Sequence, residues 1–115
     1  MLASVAAVLA LIDAGVQPDR AQLKGAVKDS LALLVEHAPG RSVEVRIPPF
    51  AAVQAIPGAT HRRGTPPAVV ETDPVTWLLL CGGSLTWAEA CRTGLVRASG
   101  ERSDLSPWLP LIASR

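Results

Sequence analysis

At Pro39 and Gly40 the hydrophobic period of the chain changes from that of a helix to that of a strand. Upstream, Leu23, Val27, Leu31, Leu34 and Val35 recur at helical spacing, with Arg20, Lys24, Lys28 and Glu36 between them. That pattern predicts an amphipathic surface helix over 19–37, its basic residues forming a solvated face. Downstream, Val43, Val45 and Ile47 alternate with Ser42, Glu44 and Arg46, the pattern of a half-buried strand. A chain that passes from helices to a run of strands points to an α+β fold with helices on one face of a sheet.

The segment before the second helix also reads as helical. Residues 2–12 are apolar, but the run stops at Asp13 and Gly15, well short of the ~20 residues a bilayer span needs. The first basic residue is Arg20, so the positive region of a secretory signal is missing. On a helical wheel Val5, Val8, Leu9, Leu11 and Ile12 share one arc, which should face the core. Ala3, Ala6, Ala7, Ala10 and Ala14 share the other, which either tolerates solvent or packs on a second helix or subunit. Gly15 ends this helix, and Pro18 with Asp19 starts the next. His37, beside the end of the second helix, suits the dipole there and is assigned no chemistry.

Pro48 and Pro49 close the first strand, 50–56 reads as a second, 57–67 as a loop and 68–72 as a third. Asp73 is a good N-cap and Pro74 suits the first helical position. Trp77, Leu78, Leu79 and Leu80 fill the short helix that follows, which Gly82 and Gly83 end. Thr86 and Glu89 have capping-box spacing for a helix over 87–93, ended by Gly94. Leu95–Ser99 is the fourth strand, its Arg97 placed to pair with Glu71 across the sheet. A last helix starts near Ser103 or Asp104, carries Leu105, Trp108 and Leu109, and is limited by Pro110.

The 115 residues fit a single domain, with a helical pair over 1–38 and the sheet and C-terminal helices over 42–112. Hydrophobic residues make up 49%, charged residues 18%, and mean hydropathy is +0.30, which excludes a disordered chain. The net charge of +1 argues against nucleic acid and anionic membranes as partners. The wealth of Ala, Val, Arg, Gly and Pro suits a GC-rich bacterial genome. The two cysteines, Cys81 and Cys91, form no CxxC pair and read as reduced, buried thiols, which together with the lack of a signal segment points to the cytoplasm. HExxH, Walker, GxGxxG and GxSxG motifs are missing, and two histidines form no metal cluster. No titratable group is a candidate for catalysis, so the expectation is a protein that is not an enzyme and needs neither metal nor cofactor.

From Ser42 to Leu111 the chain resembles the sterol carrier protein family, most closely in VETDPVTWLLLCGGSLTWAEACRTGLVRASGERSDLSPWLPL. A strand ends in Asp73, two short helices end at Gly82 and Gly94, the strand Leu95–Gly100 follows, and Asp104–Leu111 comes last. RSVEVRIPPFAAVQ and RGTPPAVVETDP look like the compact, stand-alone bacterial branch. The resemblance implies a mainly antiparallel curved sheet of four to five strands covered by helices. It also implies an apolar cavity between sheet and helices that takes a lipid or other hydrophobic small molecule without catalysis. Trp77 and Trp108, with Leu78, Leu80, Cys91, Leu105 and Leu109, are the candidate walls; core packing is the other reading of the same residues. His61, Arg62 and Arg63 either grip an anionic head group or keep a surface loop solvated. The alternative function is a ligand-free scaffold that docks on a protein partner or as a homodimer.

Overall fold

The computed structural model describes residues 2–58, 68–100 and 103–112. Two helices come first, α1 (Ala3–Asp13) and α2 (Arg20–His37), followed by strands β1 (Val43–Ile47), β2 (Ala51–Ala55) and β3 (Ala68–Thr72). Then come α3 (Pro74–Gly82), α4 (Trp87–Arg92) and β4 (Val96–Ser99).

α2 starts on a full capping box. The Asp19 carboxylate accepts from the Gln22 N–H at 2.8 Å, and the Gln22 side chain accepts from the Asp19 N–H at 2.9 Å. α3 starts on Asp73, which accepts from both the N–H and the hydroxyl of Thr76, at 2.9 and 2.6 Å. At α4 only half of the expected box forms. Thr86 accepts from the Glu89 N–H at 3.2 Å, while the Glu89 carboxylate turns forward to Arg92.

The strands lie in the order β2-β1-β3-β4. The outer pairings, β1 with β2 and β3 with β4, are antiparallel, whereas β1 and β3 run parallel, so the sheet is mixed. β1 and β2 form a tight hairpin, with the Phe50 N–H donating to the Ile47 carbonyl at 3.0 Å. β2 returns the chain to the starting end of β1, where Ala55 and Ala68 both stand beside Val43, so β3 on the far side of β1 runs parallel to it. The alternation within each strand says nothing about direction.

The register sets Val53, Val45, Val70 and Ala98 in one row across the sheet. Val43, Val45, Ile47, Ala68, Val70, Thr72 and Val96 on this side are buried. α2 packs against β2, and α1, α2 and α3 pack on one another above it. The opposite side carries the row Ala52, Arg46, Glu71 and Arg97, so Glu71 and Arg97 do stand opposite each other. Arg46 bonds to Glu44 on its own strand.

The C-terminal segment departs from the sequence reading. In place of a helix there is a single 3-10 turn, Ser106–Trp108. Pro107 and Pro110 remove two amide donors, and each disfavours helical geometry in the residue before it. Leu109 is accordingly extended, at φ −112° and ψ 143°. The Ile112 N–H ties the segment back to the Cys81 carbonyl at 3.0 Å.

Candidate functional site

The space between sheet and helices is packed with side chains. Trp77, Leu78 and Leu105 have no exposed surface, and Leu80, Leu31, Leu34 and Ile47 are also fully buried. Among the described residues the four buried hydroxyl side chains all have partners. Ser30 donates to the Val27 carbonyl at 2.9 Å, Ser42 to Ile56 at 2.7 Å and Thr72 to Leu95 at 2.7 Å; Thr76 is held by Asp73. No buried polar side-chain atom among the described residues lacks a partner. The interior therefore offers no spare polar group to orient a guest.

An apolar cleft of about 280 Å³ opens instead beyond the helices, where α3, α4 and the C-terminal segment meet. α3 contributes Leu80, and the turn after it contributes Gly83 and Leu85. The start of α4 adds Thr86, Trp87 and Ala88, and the C-terminal segment adds Ser106, Leu109 and Pro110. α4 is stopped firmly, which fixes its position beside the cleft. The Leu95 N–H bonds to the Ala90 carbonyl at 2.9 Å and the Gly94 N–H to Cys91 at 3.2 Å, the paired bonds of a Schellman end with Gly94 at φ +77°. A larger depression of about 400 Å³ lies on the outer face of the sheet. It is shallow and bordered by Arg46 and Glu71, a poorer enclosure for an apolar guest.

Of the seven residues named from sequence as pocket walls, the structure brings Leu80 and Leu109 together in this cleft. Trp77, Leu78 and Leu105 sit in the core, and Trp108 is half-buried against it. Cys91 is exposed on α4, which corrects the expectation of two buried thiols. α4 is short and turns this residue away from the core, where only Ala90 is buried. His61, Arg62 and Arg63 lie outside the described residues.

The residues that sequence reasoning missed as walls include Leu85, Trp87 and Pro110. Leu85-Thr86-Trp87 was legible as an apolar pair straddling a cap. Its meeting with Leu109-Pro110, over twenty positions later, was not.

Nucleophilic chemistry gains nothing from the described thiols. Burial pushes the Cys81 thiol up to about 12, against a smaller downward pull from a hydrogen bond with Ser30. Cys91 is raised as well, by burial first and by the Asp104 charge second. Among the described residues no three His, Cys, Asp or Glu side chains are grouped to hold a metal. Nor is any helix among them long and apolar enough to cross a membrane. The arrangement is one that can bind an apolar molecule.

Compared with known families, the chain matches the model described as bacterial SCP ortholog over residues 19–111. The match starts at the α2 cap and leaves α1 outside it. No curated protein matches the chain.

Proposed function

The chain belongs to the bacterial SCP ortholog family, and from that premise we propose that it binds and carries a small hydrophobic molecule without catalysis, in the cleft between α3, α4 and the C-terminal segment. The observation that carries this reading is the apolar wall of Leu80, Leu85, Trp87, Leu109 and Pro110. At about 280 Å³ the cleft lies just below the usual size of small-molecule sites, so it suits a short ligand or one end of a longer chain. Binding would draw on burial of apolar surface at about 25 cal/mol per Å², less the ordering costs. We read the fold as the sterol carrier type, acting in the cytoplasm as one unit, with both free thiols reduced.

A second reading is favoured by the packed interior: the same fold used as a ligand-free scaffold. Ala3, Ala7 and Ala10 on α1 and Ala14 at its C-cap are exposed and would form its docking face.

Native mass spectrometry on protein purified without detergent, followed by organic extraction and a titration with the neutral dye Nile red, separates the two. A stoichiometric adduct lost on denaturation, or saturable dye uptake, supports the carrier. A bare mass with no uptake overturns it, and a bare dimer favours the scaffold.

A further inference from the structure

We propose that the edge of β2, with the flank of α2 that runs beside it, docks an extended acidic segment of a partner protein, which adds a strand to the sheet. This stands independently of the carrier reading above.

Among the described residues β2 stands at one end of the sheet, with β1 as its neighbour. Its sequence, AAVQA, carries none of the charged or proline residues that blunt an edge, so its outward N–H and C=O groups suit pairing with another strand. α2 packs against β2 and runs alongside it in the same direction. At the start of both elements the Arg20 guanidinium lies 5.2 Å from the centre of the Phe50 ring, just before β2. At the end of both, the Ile56 N–H donates to the Ala38 carbonyl at 2.7 Å. A strand laid on this edge therefore lies beside the helix along its length.

The charges of α2 are segregated around its axis. At about 100° per residue, Lys24 and Lys28 fall within about 80° of Arg20, on the flank that meets Phe50. Asp29 and Glu36 fall about 160–180° away on the same count, and Asp29 accepts from the Ser4 hydroxyl of α1 at 2.5 Å. Lys24 and Lys28 are exposed, and neither has an ion-pair partner among the described residues. Acidic side chains on an added strand would meet these two ammonium groups. The same charges decide against a second copy of this chain. Antiparallel pairing of β2 with its twofold mate would bring both α2 flanks, lysine against lysine, to one side of the joined sheet. On the other side of the sheet, the depression bordered by Phe50, Ala51 and Ala52 adjoins the same edge and gives room to the alternate side chains of the added strand.

The test titrates the full chain with two short synthetic peptides, one alternating glutamate with valine and one alternating lysine with valine. Binding is read by fluorescence anisotropy, and amide hydrogen exchange by NMR maps where each peptide sits. The glutamate peptide should bind at least about tenfold tighter than the lysine peptide and should protect amides within Ala51–Ala55. The double variant Lys24→Glu/Lys28→Glu, at exposed positions and checked by circular dichroism, should reverse that preference. Equal binding of the two peptides, or none, overturns the proposal. Glutamate-peptide binding that leaves β2 unprotected overturns it as well, since the lysines would then attract charge without a strand being added. So does dimerisation that protects β2 without any peptide. Vesicles of phosphatidylglycerol serve as the last control: if they bind in place of the peptide and the double variant releases them, the stripe faces lipid and the proposal falls.

Discussion

The indole Nε1 of Trp77 donates to the Ser30 hydroxyl at 2.9 Å, joining α3 to α2 through two fully buried side chains. The Ser30 hydroxyl in turn donates a hydrogen bond to the Val27 carbonyl, so both polar groups are satisfied inside an apolar core. The bond explains how the largest side chain of the core is buried without leaving its N–H orphaned.

Trp77→Phe should therefore cost about 2–3 kcal/mol, through the lost volume and the lost hydrogen bond together. Combined with Ser30→Ala in a double-mutant cycle, it should show a coupling of about 1 kcal/mol by urea unfolding. Strictly additive single effects would show that the bond carries no stability of its own.

The two thiols should differ sharply in access. Cys81 is buried and Cys91 exposed, so an aromatic disulfide reagent should modify one thiol per native chain and two after denaturation. Rapid reaction of both in the native state would contradict the packing of α3.

The Cys81 thiol gives stability an alkaline limb. Its ordinary value is 9.0, and burial raises it to about 12 in the folded chain. A raised thiol means that the native state holds the proton longer, so stability is intact below pH 9 and falls as pH climbs toward 12. The slope should approach about 1.4 kcal/mol per pH unit, roughly 4 kcal/mol in all. The chain has no tyrosine to titrate in the same window. Cys81→Ala should flatten the limb to what Cys91 contributes, as measured by chemical denaturation across this range.

Two glycines should respond oppositely to alanine. At Gly40, φ is +155° and a methyl group would stand 2.1 Å from the Ile56 carbonyl oxygen, a backbone atom that also holds Ser42. Gly40→Ala should cost at least about 3 kcal/mol. Gly25 lies within α2 with nothing near its missing Cβ, and Gly25→Ala should stabilise by up to about 1 kcal/mol. Thermal unfolding of both variants checks the pair.

What the sequence determined by itself is the order of elements and their punctuation. Alternation at Val43, Val45 and Ile47 and caps at Asp19, Asp73 and Thr86 act within a few residues, so each was legible where it stood. Pro107 acts just as locally, and with it a 3-10 turn stands in place of the expected C-terminal helix. Tertiary structure decided the rest. The parallel pairing of β1 with β3 depends on β3 docking on the side of β1 away from β2, not on the pattern of either strand. Whether Trp77 lines a cavity or fills the core depends on its fit against α2 and on finding Ser30, forty-seven positions away. The candidate cleft arises in the same way, because Trp87 and Leu109 become neighbours only after the C-terminal segment ties back to Cys81. Short-range hydrogen bonding and periodicity are written along the chain; close packing between distant side chains is settled only when all of them compete for one volume.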